Sequence, residues 1–183
     1  MPSRQVVALV MLMSIGLVVV SSISHAQSAV LDLPRGSQHS VITQRIGITD
    51  VTINYHRPLV KGRPIWGKLV PYGEVWRAGA NEATTFVTTT DLMVGGKHVP
   101  AGSYTIFAIP NKDKWTLVIS KKTGEWGIPY PGADQDLVRV DMKASTLPSA
   151  VEDFTIAFDK SSGGCTLRMD WETTRATVDI TKM

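Results

Sequence analysis

The chain has 183 residues and a formal net charge of +3, from 19 Lys and Arg against 16 Asp and Glu. That excess is small and spread evenly, which excludes the dense basic patch a nucleic-acid partner would require. A single cysteine excludes a disulfide framework, so packing alone must hold the core.

In chain order the first element is an export signal. Arg4 and the amino terminus precede an almost unbroken apolar run from Val6 to Val20. Ser24-His25-Ala26 then sets small residues where a signal peptidase cuts, before Gln27. Residues 1–26 read as a signal peptide, which makes the protein periplasmic or extracellular with no stable membrane insertion after cleavage. The alternative is an N-terminal membrane anchor, because the run extended to Ile23 is just long enough to span a bilayer. Residues 27–38 read as a flexible leader, and residues 39–183 as one domain.

From there the apolar pattern has period two. Ser40 to Arg45 is a first strand. Val51, Ile53 and Tyr55 alternate with Thr52, Asn54 and His56 in a second, and Phe86 leads the β-branched run Val87 to Thr90 in a third. Tyr104 to Ile109 and Trp115 to Ile119 form a hairpin around Pro110 to Lys114. Leu137 to Lys143, Val151 to Phe158, Cys165 to Trp171 and Arg175 to Ile180 read as four further strands. Cys165 falls on the apolar phase of its strand, which predicts a buried thiol and not a nucleophile. Gly95-Gly96 and Gly163-Gly164 are turn glycines, and His98 belongs to a surface turn. No segment sustains a helical period; short helical turns are expected only at Ile65 to Leu69 and Glu74 to Arg77. The expected fold is all-β, an antiparallel β-sandwich of jelly-roll type, with a closed β-barrel as the alternative.

One connection stands apart from this scaffold. Between the second and third strands runs a long polar stretch, from Arg57 through Glu82, that carries Trp66, Tyr72 and Trp76 among turn-forming Pro and Gly residues. Long ordered connections are usually functional, and three large aromatics argue for order. The blocks Tyr55-His56-Arg57-Pro58 with Lys61-Gly62-Arg63, then Leu69 through Thr84, then Pro100-Ala101-Gly102-Ser103-Tyr104, resemble the bacterial secreted family catalogued as domain of unknown function 2911. The resemblance runs from about His39 to Ile180. It implies an exported β-rich domain and supplies no activity.

The residues themselves offer chemistry. Arg57, Arg63 and Arg77 would converge with Asn81 and Glu82 in a pocket walled by Trp66, Tyr72 and Trp76. Guanidinium forks hold carboxylates or phosphates, and flat aromatic faces suit sugars. The leading reading is a secreted binding module for a small polar, anionic or sugar ligand or for a protein partner. Set against it is loop architecture alone, in which Arg77 and Glu82 form an internal ion pair. Two other readings are a small hydrolase acting through Glu82 and Arg77, with Glu74 and Glu82 as its carboxylate pair, and a homo-oligomeric domain with the loop at its interface. No catalytic residue is assigned. No metal or cofactor is expected, since His39, His56 and His98 lack a ligand spacing.

Overall fold

The computed structural model describes residues 35–183, so the signal peptide and residues 27–34 of the leader lie outside the described residues. Nine strands follow in order: β1 (Gln38–Ile46), β2 (Thr49–Arg57), β3 (Thr85–Thr88), β4 (Leu92–Val94), β5 (Lys97–Val99), β6 (Gly102–Ile109), β7 (Lys114–Ser120), β8 (Asp136–Ser161) and β9 (Gly164–Lys182). They form one antiparallel sheet in the order β1-β2-β3-β6-β7-β8-β9-β4-β5. The sheet folds over into an all-β sandwich and does not close into a barrel, because β1 and β5 remain as separate edges. Among the described residues no helix is long and apolar enough to cross a membrane.

The period-two segments all become strands, but their number changes. The two segments Leu137–Lys143 and Val151–Phe158 are parts of one strand, β8, and Cys165–Trp171 and Arg175–Ile180 are parts of β9. Between the halves the β8–β9 register slips: Thr146 faces Thr174, whereas Thr155 faces Asp170. The longer path on β8 is a bulge, and bulges bend a strand while keeping it continuous. The first part of β8 pairs with β7, and its second part pairs with β9 and, at Asp153, with Leu59 of the β2–β3 connection, so one strand serves both layers. The two segments read from the sequence leave residues 144–150 between them, and the structure fills that gap with continuous strand. A hairpin also escapes that reading: β4 and β5 pair around Gly95 and Gly96, both at positive φ, as a tight hairpin turn demands. His98 therefore lies on β5, exposed, with its imidazole 2.9 Å from Asp91.

The alternating apolar phases meet in one core. Ile53, Phe86, Ile106 and Leu117 from the first layer join Phe154, Ile156, Leu167 and Met169 from the second, all essentially without exposure. Tyr55 ties the layers together: its buried hydroxyl accepts from Ile156 N at 3.0 Å and donates to Ile156 O at 3.3 Å. Phe107 is buried on the opposite phase, beneath the ring of Tyr130 at 5.2 Å. Cys165 is buried, and burial pushes its thiol up to about 11, which makes it inert at neutral pH.

Candidate functional site

The β2–β3 connection is fully engaged with the sandwich. As the chain leaves β2 it crosses to the second layer, where Phe154 N donates to Pro58 O at 2.9 Å and Val60 N to Glu152 O at 3.0 Å. Arg57 locks the crossing by donating to Phe154 O (3.1 Å) and to Thr155 Oγ1 (2.8 Å). The chain reverses at Lys61 and Gly62, both at positive φ, and Arg63 clasps the reversal through Val60 O (3.0 Å) and Leu59 O (2.5 Å). Ile65 to Val70 is a hydrogen-bonded turn with both end residues buried, and not a helical turn. Glu74 to Arg77 is not helical either. It runs extended beside β6, with Trp76 and Ala108 exchanging two backbone bonds of 2.8 Å. Helical propensity loses there because β3 pairs with β6 only as far as Thr105, and the rest of β6 offers backbone partners that an isolated turn lacks.

Trp66 and Trp76 are part of the core. Trp76 stacks on Trp171 of β9 with centroids 5.7 Å apart, and Trp66 meets Trp115 of β7 edge-on at 4.7 Å. Four indoles and Phe154 thus plug one end of the sandwich.

Over this plug lies a cleft of about 420 Å³. Trp76, Trp171, Val70 and Pro58 supply apolar lining, and Lys61, Arg63 and Arg77 supply charge. Arg77 is the central group. Its Nη1 donates to Asn81 O (2.6 Å) and Trp126 O (3.2 Å), and no carboxylate lies within ion-pair distance among the described residues. Partial burial pulls its guanidinium below the ordinary arginine value. Gly127, at φ 86°, brings the neighbouring segment in closely: a Cβ there would sit 3.0 Å from Arg77 Cβ.

Beside the cleft is a second polar group. Glu82 accepts from Arg35 Nη1 at 2.5 Å, and its other oxygen lies 3.4 Å from His56 Nδ1. The His39 ring lies 5.1 Å from His56 and bonds Asn54 at 2.6 Å. Arg35 holds the Glu82 carboxyl below its usual value, while burial pulls His56 down against the attraction of Glu82. Gly79 is needed for this approach, since a Cβ would sit 2.8 Å from Thr84 Oγ1 and 3.1 Å from His56 O. Among the described residues no three His, Cys, Asp or Glu side chains are grouped to hold a metal.

The expected site residues therefore divide. Arg63, Trp76 and Arg77 line the cleft. Arg57 and Trp66 build its support, and Asn81 contributes a carbonyl to Arg77. Tyr72 is exposed and sits instead beside Asn111 to Lys114. Glu82 does not line the cleft, and the expected Arg77–Glu82 ion pair is not formed: Glu82 pairs with Arg35. Sequence reading misses Lys61, Leu69, Ile128 and Trp171 as lining residues. Lys61 carried a signal, since it sits inside the motif block; Trp171 carried none, because its strand reads as scaffold.

The family model described as Protein of unknown function (DUF2911) matches residues 37–180. The chain belongs to this family. No curated protein and no solved structure matches it. The matched span takes in β1 through most of β9, together with all the lining residues named above. The family's description assigns no chemistry.

Proposed function

We propose that this DUF2911 protein is an exported binding module, and that its cleft holds a small ligand bearing a negative charge. One observation carries the reading: Arg77, partly buried in the cleft wall, is bonded only to two carbonyls and lacks a counter-ion among the described residues. A desolvated guanidinium without a carboxylate is costly, and an anionic ligand offsets that cost through charge-assisted bonds. Lys61 and Arg63 add positive side chains at the same cleft; among the described residues neither forms an ion pair, although Lys61 N donates to Glu152 Oε1 at 2.8 Å. The export signal supports a periplasmic or extracellular setting. Neither carboxylate suggested for hydrolysis lines the cleft: Glu82 is engaged by Arg35, and Glu74 is exposed.

Calorimetric titration of the exported chain with carboxylates, phosphate monoesters and neutral sugars tests this. Anions should bind and neutral sugars should not. A hydrogen bond to a charged group contributes about 1.5–3 kcal/mol, so Arg77→Ala should weaken anion binding roughly tenfold to a hundredfold. Equal binding of sugars, or unchanged affinity in the variant, would overturn the proposal.

A further inference from the structure

Resting on the anion-binding reading, we infer that the ligand is a free, single-headed anionic amphiphile, with its head at Arg77 and an apolar tail lying along the mouth of the cleft. Charge alone does not account for the way this cleft is walled. Its interior apolar residues continue outward into side chains that face water: Leu69 is 47% exposed and Ile128 60%, and both line the cleft. Two of the seven large hydrophobic residues exposed among the described residues therefore line the cleft that holds one uncompensated cation.

Single exposed hydrophobics need no explanation, but a cluster rimming a cleft marks a binding surface. A small hydrophilic anion such as acetate would satisfy Arg77 and leave this rim wet. A sugar would meet neither the charge nor the rim. An alkyl or similarly apolar tail covers Leu69 and Ile128 while its carboxylate or phosphate stays at the guanidinium. The polar and apolar demands are then met by one molecule in one orientation. The cleft, at about 420 Å³, falls in the range of sites for small molecules.

The test is a chain-length series. Acetate, hexanoate, octanoate and decanoate, each below its micelle concentration, are titrated calorimetrically into the chain purified from an exporting host, with 1-octanol as the tail without a charge. Each methylene that becomes buried should raise affinity roughly threefold to fourfold until the cleft is filled. Acetate and 1-octanol should both bind far more weakly than octanoate. Ile128→Asp, at an exposed position that leaves the core intact, should flatten the dependence on chain length. Arg77→Ala should weaken every acid by a similar factor and preserve that dependence. Acetate binding as tightly as octanoate would overturn the amphiphile inference and leave the anion-binding reading standing. A chain-length dependence undiminished in Ile128→Asp would also overturn the inference. Failure of every anion to bind, or equal binding of 1-octanol and octanoate, would overturn both.

Discussion

Two sets of arginines in this protein are treated in opposite ways. On β9, Arg168 and Arg175 converge on Asp170, a carboxylate with 3% exposure, and Arg175 grips it with two bonds of 2.7 Å. Arg45 and Arg139 likewise have Asp50 and Asp136 as partners. In the β2–β3 connection, Arg57, Arg63 and Arg77 bond only to carbonyls and one hydroxyl. The first set is electrically closed, and its contribution is spent inside the fold. The second is held in position with its charge uncompensated, and only Arg63 and Arg77 of that set line the cleft. Placement of a cation and neutralisation of a cation are thus separable, and the proposed binding function rests on their separation at Arg63 and Arg77.

The largest effect expected on either side of this comparison is at the shared floor. Trp171 is 2% exposed, stacks on Trp76 and donates to Glu152 O at 3.2 Å. Trp171→Ala should lower unfolding free energy by about 3–5 kcal/mol, read by urea denaturation. Near wild-type stability would show that the indole plug does not support the fold. Next, Asp170→Ala removes the buried anion that Arg168 and Arg175 share and leaves Arg168 with Asp159 alone. Breaking a buried pair costs about 3–5 kcal/mol, and the partial exposure of both arginines brings the expected loss to roughly 2–3 kcal/mol. Arg77→Ala, by contrast, should change stability by less than about 1 kcal/mol while abolishing most ligand affinity. Equal destabilisation by the two variants would erase the distinction between closed and open arginines.

The smallest effect concerns pH and the polar group beside the cleft. Burial holds the His56 imidazole below its ordinary value of 6.5, so the unfolded chain takes up that proton first. Stability is then complete above about pH 6.5 and falls as pH drops through the folded value. Glu82, held below its ordinary value of 4.5 by Arg35, has the same sign: its contribution is present above that value and lost on further acidification. His56→Gln should remove the upper part of this acid slope and leave the lower part, as followed by Tm between neutral and acidic pH. Parallel curves for the two proteins would show that His56 does not titrate against the fold.

Much of this architecture is legible in residues taken one at a time. Val51, Ile53 and Tyr55 face the core because alternation fixes which side of a strand is buried, and Cys165 follows the same rule. The importance of the Arg57–Glu82 stretch is legible too, from its aromatic and turn content. Its internal wiring is not. Arg77 and Glu82 are near in sequence and opposite in charge, yet Glu82 turns to Arg35 and Arg77 to the carbonyls of Asn81 and Trp126. The outcome depends on where Ala78 and Asn81, both at positive φ, send the chain between them.

The sequence by itself determined the strand phases, the all-β class and the buried thiol, because each follows from local periodicity and composition. The tertiary structure decided that four C-terminal segments are two bent strands, since a bulge lets β8 and β9 keep pairing across the gap. It also decided which cations keep a free charge. That property rests on contacts between residues far apart in the chain: Trp126 with Arg77, Arg35 with Glu82, and Trp171 beneath the cleft. Spacing along a chain carries no information about such contacts until the sheet brings them together.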